Sequence, residues 1–181
     1  DHRICELSYN ENPLGAGQLA RSAIKRLAGQ EHRYPPLGYS ILLDGLAQTL
    51  GLSTDNLLLA PGSVAVIYHA ICQWAGPGDK VIFSKSAIPW YRWSAVAAGA
   101  TPVAIPLAPD MNQDLDAILE QVDASTRVVV LSNPHNPTGM YLPESQLRDF
   151  FDRLPKQVLL ILDQAYYEYQ ANSETIMFQL V

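Results

Sequence analysis

Arg127-Val128-Val129-Val130-Leu131-Ser132-Asn133-Pro134-His135-Asn136-Pro137-Thr138-Gly139 decides how this chain folds. An unalternated apolar run gives way to a polar turn stiffened by two prolines. A second run, Val158-Leu159-Leu160-Ile161-Leu162, stops on Asp163 and continues as Gln164-Ala165-Tyr166. Val, Ile and Leu without alternation suit strands covered on both faces, and strands separated by helical spacers build a parallel sheet. The expected class is therefore α/β with a mostly parallel sheet. Such sheets bind ligands beyond the carboxyl ends of their strands, where Asn136 and Asp163 both fall. A carboxylate at the end of a buried strand needs a partner for its charge, so a cation is expected opposite Asp163, and a protonated ring nitrogen would serve.

Composition narrows the partners. The 181 residues suffice for one domain with a substantial core. At 48% apolar and 17% charged, the chain belongs with globular proteins rather than disordered ones. A net charge of -6 without Lys/Arg runs speaks against nucleic acid or an anionic membrane as partner. Cys5 and Cys72 are isolated, with neither metal-ligand spacing nor a disulfide framework, which suits a reducing compartment. No apolar run approaches the roughly 20 residues that span a bilayer, and no apolar signal segment follows Asp1-His2-Arg3. The expectation is a cytoplasmic protein.

Outward from the central stretch, local signals mark the elements. Residues 4–15 read as a short strand running into an Asn/Pro/Gly turn, and residues 18–28 as an amphipathic helix ended by Gly29. A second helix covers 40–50 and stops at Gly51; a short strand is expected at 57–60 and a helix at 64–74. Between these last two, Pro61-Gly62-Ser63 makes an anion site, because backbone N–H groups and the helix dipole point at whatever binds there. Ser63 is read as the cap, able to donate to a phosphate. Strands follow at 80–83 and 100–107, a helix at 114–122, and another opened by Pro143-Glu144. Lys85, between Ser84 and Ser86, reads as a loop lysine.

The Asn133–Gly139 turn and Asp163-Gln164-Ala165-Tyr166 resemble Asn-Pro-x-Asn-Pro-Thr-Gly and Asp-Glu-Ala-Tyr of the fold-type-I, pyridoxal 5'-phosphate (PLP)-dependent aminotransferases. The branch is the one that includes histidinol-phosphate aminotransferase. The resemblance implies the three-layer α/β/α large domain of that fold, with this chain ending before the remaining strands and the small C-terminal domain. Residues 1–38 would be the arm, first helix and Tyr-Pro segment, and residues 39–181 the first part of the PLP-binding domain. Implied partners are an amino acid or amino-alcohol phosphate as donor, a 2-oxo acid as acceptor, and a second subunit in a homodimer.

Roles carry over residue by residue. Asp163 would hold the pyridinium proton, and Asn136 and Tyr166 would donate to the ring's phenolate oxygen. Ser63 and Val64 stand in the phosphate loop, Val64 where an acidic residue is usual. Tyr34, in Arg33-Tyr34-Pro35, matches the tyrosine that reaches the neighbouring subunit's cofactor phosphate. Tyr9 and Asn12 lie in the segment resembling the arm that closes over substrate. Ser86-Ala87-Ile88-Pro89-Trp90-Tyr91 aligns with Pro-Thr-Tyr-x-x-Tyr. Tyr91 thus matches the second tyrosine, while Ile88 occupies the place of the ring that stacks on the pyridine, with Trp90 or Trp93 as possible substitutes.

In the family the Schiff-base lysine and the arginine for the substrate carboxylate follow the Asp-x-Ala-Tyr motif. Lys25, Lys80, Lys85 and Lys156 all precede Asp163, so no catalytic residue is expected within these 181 residues. Three readings follow: a fragment or one half of a split enzyme with a complementary C-terminal polypeptide, a PLP-dependent decarboxylase of the same branch, or a non-catalytic binding or assembly module. The first is adopted.

Overall fold

The two apolar runs become neighbouring strands. In the computed structural model, which describes residues 8–35 and 39–170, four strands form one sheet: β1 (Lys80–Ser84), β2 (Thr101–Ile105), β3 (Thr126–Ser132) and β4 (Leu159–Asp163). Their order is β2-β1-β3-β4 and every pairing is parallel. The helices are α1 (Gln18–Leu27), α2 (Ser40–Leu50), α3 (Ser63–Trp74), α4 (Pro89–Ala97), α5 (Leu115–Glu120) and α6 (Glu144–Arg153).

Successive residues of a strand point to opposite faces, and both faces here are apolar because both are covered. Val81, Phe83, Val128 and Val130 face one way and pack with Ile67 and Ile71 of α3 and with Tyr91 and Ala95 of α4. Ile82, Val129 and Leu131 face the other way, against Ile118 of α5 and Leu147 and Phe150 of α6. The expected three-layer α/β/α arrangement is thus present. From β1 the chain crosses by α4 to β2 on one side; from β2 it returns by α5 to β3 and goes on by α6 to β4. Helices on opposite faces for opposite directions of travel satisfy the right-handed crossover rule. The direction reverses between β1 and β3, which makes their carboxyl ends the switch point where sheets of this kind bind ligands.

Several local expectations need correction. Residues 57–60 join no sheet: Leu57 is extended, yet no described strand offers it a ladder, and Leu58 is exposed. Gly62, with φ of 82°, is the N-cap of α3, and Ser63 is its first helical residue rather than the cap. A glycine there tolerates the left-handed backbone that a side chain resists. The 114–122 helix is shorter because Asp114 caps it, its carboxylate accepting from the Ala117 N–H at 3.0 Å. The strand expected to begin at residue 4 falls partly outside the described residues.

The chain divides into two compact units, Asp1–Gly45 and Leu46–Val181, and the sheet lies wholly in the second. In the first, α1 forms as its periodicity requires but buries none of its residues; Leu19, Ile24 and Leu27 stand exposed. No described helix is long and apolar enough to cross a membrane, and no described His/Cys/Asp/Glu group has the makings of a metal site.

Candidate active site

Asp163 is the last residue of β4 and is 9% exposed. Its Oδ2 accepts from the Tyr91 hydroxyl at 2.8 Å and its Oδ1 from the Ala165 N–H at 3.1 Å. A carboxylate offers roughly four acceptor positions, and these two bonds among the described residues use two of them. Ion pairs among the described residues join Lys80 to Asp123, Arg127 to Asp79, Arg148 to Glu144, and Arg153 to Asp116 and Asp149. None reaches Asp163. A buried carboxylate that meets no cation among the described residues is the arrangement expected where a cationic ligand completes the site.

Tyr91 comes from the start of α4, 72 positions before Asp163. Burial first, and then the charge of Asp163, push its hydroxyl far above the usual tyrosine range, so it remains a donor. Ser132 and Tyr166 also act on that hydroxyl, which gathers Tyr91, Ser132, Asp163 and Tyr166 into one neighbourhood. By resemblance Tyr91 matches the second tyrosine of the family's segment, a position to which the motif alone gives no role. Its only local signal is that it lies three residues after Ile88, at helical spacing. Tyr91→Phe is expected to cost about 1.5–3 kcal/mol of unfolding free energy, the range for a hydrogen bond to a charged group, read by urea denaturation. A loss below about 0.5 kcal/mol would mean that the bond contributes nothing net.

The turn after β3 is held from inside. Both Asn133-Pro134 and Asn136-Pro137 peptide bonds are cis. Asn133, 1% exposed, clasps Leu142 in both directions, donating to its carbonyl at 3.0 Å and accepting its N–H at 2.8 Å. The Ser132 hydroxyl donates to the Pro134 carbonyl at 2.9 Å and accepts the Asn136 N–H at 3.3 Å. Ser132 is the register partner of Asp163, so the Asn136 backbone is tethered to the residue that pairs with Asp163. His135 is fully buried: Nδ1 meets the Thr138 hydroxyl at 2.9 Å, and Nε2 has no hydrogen-bond partner.

Burial lowers the pKa of His135 below its ordinary value of 6.5, because desolvation penalises the charged ring. Between that value and the lowered folded-state value, the unfolded chain binds the proton and the folded chain does not. The contribution of His135 to stability is therefore present above pH 6.5 and lost as pH falls through the folded-state value. His135→Asn is expected to flatten this part of the stability-versus-pH curve in denaturation series from pH 7.5 to 5. An unchanged slope would show that other groups cause it.

Other expected site residues are placed as follows. Ser63 is exposed at the first turn of α3, which has no side-chain cap, and Val64 is half-buried behind it. Ile88 is the N-cap of α4 and packs against the core face that holds Tyr91. Trp90 and Trp93 stack edge-to-face on each other at 4.9 Å, about half exposed. At 100° per residue both diverge from the side of α4 that carries Tyr91. Tyr9, Asn12 and Tyr34 lie in the first unit and are exposed, Asn12 engaged in its own turn through the Leu14 N–H at 3.0 Å. Lys85 directly follows β1 and is exposed, as expected of a loop lysine. A separate cleft of about 440 Å³ lies over α5 and α6; Asp163, Asn136 and Tyr166 are not among its lining residues.

A parallel three-layer sheet with a buried aspartate at the end of one of its strands defines a class: a doubly wound α/β domain, whose ligands bind at the carboxyl ends of the strands. Comparison with known proteins makes this particular. Residues 3–180 match the family model described as aminotransferase class I and II, and the chain belongs to that family. Over 167 residues it is 39% identical to a histidinol-phosphate aminotransferase of Ruegeria sp., covering 92% of this chain and 46% of that protein. It is also 39% identical over 164 residues to an aromatic amino acid aminotransferase of Rhodococcus jostii, covering 91% and 46%. Among solved structures, a histidinol-phosphate aminotransferase from Sinorhizobium meliloti in complex with pyridoxal-5'-phosphate superposes with a TM-score of 0.83 at 29% identity. That match covers 88% of this chain and 44% of the other. The chain thus spans just under half the length of the relatives it matches.

Proposed function

We propose that this chain supplies the ring- and phosphate-holding part of a pyridoxal-phosphate-dependent aminotransferase of the histidinol-phosphate type. The observation that carries the reading is Asp163: buried, fastened by Tyr91 and Ala165, and without a cation among the described residues. The residues present fit the cofactor. Its protonated ring nitrogen would neutralise Asp163, and its phosphate would take the uncapped amides of α3 at Ser63 and Val64. Bound there, the cofactor would serve as the electron sink that transamination requires.

What the chain's own groups do follows from their chemistry. Asp163 faces the ring nitrogen; Tyr91, its hydroxyl held far above the usual tyrosine range, donates to Asp163 and keeps it aimed. Asn136 and Tyr166 donate to the ring oxygen. Ile88, the residue that caps α4 and packs against the core face holding Tyr91, gives the ring an aliphatic cover in place of an aromatic one. Tyr9, Asn12 and Tyr34 serve substrate and the neighbouring subunit's phosphate in a cytoplasmic homodimer. Residues 1–38 form the arm and entry segment, and residues 39–181 the first part of the large domain.

The covalent lysine and the carboxylate-binding arginine are assigned to a segment outside these 181 residues. The relatives carry the matching region as less than half of a single chain, so a separate complementary polypeptide gains no support. Their names are those of aminotransferases, which favours neither the decarboxylase nor the non-catalytic reading.

The test is product analysis on the protein that contains this chain, supplied with a 2-oxo acid and with histidinol phosphate or aromatic amino acids in turn. Formation of the amino acid corresponding to the 2-oxo acid is expected. Release of carbon dioxide without amino transfer, or no reaction in a protein saturated with pyridoxal phosphate, would refute the proposal.

A further inference from the structure

β1 and β3 stop pairing at Phe83 and Val130, yet β1 continues to Ser84 beside β2 and β3 continues to Ser132 beside β4. At the switch point the backbone of Ser132 therefore lacks its neighbour from β1. Gln113 takes that place. Its Nε2 donates to the Ser132 carbonyl at 2.8 Å and its Oε1 accepts the Ser132 N–H at 3.1 Å, the two bonds a paired strand residue would supply. The same Oε1 accepts from the Ser84 hydroxyl at 3.4 Å, so one side-chain amide bridges the parted strand ends. Gln113 is 4% exposed and is itself fastened, its N–H donating to Asn112 Oδ1 at 2.9 Å and its backbone bridging Leu107.

Ser132 in turn holds the Pro134 carbonyl and the Asn136 N–H through its hydroxyl. The chain of contacts runs from Gln113 through Ser132 to the turn that presents Asn136. An apolar side chain at 113 would fill the space but leave two buried backbone groups of Ser132 unpaired.

We propose that Gln113 is a positioning residue of the active site, a side-chain rung that keeps β1 and β3 apart at the switch point while fixing Ser132 and, through it, Asn136. Its importance for the cofactor rests on the function proposed above; its hydrogen-bonding role does not.

Amide hydrogen exchange on the full chain, with Gln113→Leu and Gln113→Glu, separates this from a general structural role. In Gln113→Leu, exchange at Ser132 and Asn136 is expected to quicken by roughly tenfold, the worth of one buried hydrogen bond, while Val128, Val129 and Ile71 keep their rates. In Gln113→Glu, corrected for intrinsic exchange, the same two amides are expected to be protected at low pH and released as pH rises. The neutral carboxyl can donate to the Ser132 carbonyl; the ionised one cannot, and repulsion between its charge and that carbonyl oxygen drives the side chain off Ser132, freeing the N–H as well. This second variant also serves should the first fail to fold. Unchanged rates at Ser132 and Asn136, loss spread evenly along β3, or a Gln113→Glu pattern insensitive to pH would overturn the proposal. Pyridoxal phosphate affinity, read by equilibrium dialysis on the same samples, is expected to fall about tenfold in Gln113→Leu. A parent chain that binds none would count against the proposed function rather than against this rung.

Discussion

Asp163→Asn is expected to weaken retention of pyridoxal phosphate by roughly 150- to 4,000-fold while shifting unfolding free energy by less than about 1 kcal/mol. The two readouts part company for a physical reason. With ligand bound, the substitution removes one member of a buried charge pair, a loss of about 3–5 kcal/mol. In the free chain it removes a buried charge that no described cation offsets, and the amide oxygen still accepts from either Tyr91 or Ala165. Equilibrium dialysis and urea denaturation on the same preparation decide the matter. An asparagine variant that holds the cofactor as firmly as the parent would sink the assignment of Asp163, and with it the reading of the site.

Phe150→Ala is expected to destabilise the fold by about 3–5 kcal/mol, the cost of emptying a large buried aromatic position. Phe150 is 1% exposed on the inner side of α6, beside Leu147 at 1% and against Leu131 of β3 at 0%. Arg148, on the outer side of the same helix, pairs with Glu144 one turn away. Arg148→Ala should cost no more than about 0.5 kcal/mol, as exposed pairs of this spacing do. Similar losses for both variants would mean that α6 is not seated on the sheet as described.

The expectations that held are those for which a short stretch of chain contains its own reason. Two unalternated apolar runs separated by a helical spacer can hardly avoid forming buried parallel strands. Gly51, whose φ is 67°, ends α2 because it accepts a conformation that other residues resist. The placement of Asn136 and Asp163 at strand ends followed from where the apolar runs stop. Where a local reason was missing, reading along the chain fell short. Residues 57–60 have the composition of a strand, yet strandness is a property of two partners, and none of the described strands is positioned to pair with them.

By itself, then, the sequence determined the layered parallel sheet, the proline-bound turn, and the carboxylate waiting at the end of a strand. Tertiary structure alone decided that Tyr91 meets Asp163 across 72 positions, and that Gln113 stands in for a strand beside Ser132, 19 positions away. Periodicity records which side of an element is apolar, since that depends on neighbours three or four residues distant. Which buried polar groups satisfy one another depends on register, crossover hand and the splaying of strand ends, and these are settled only once the elements have packed.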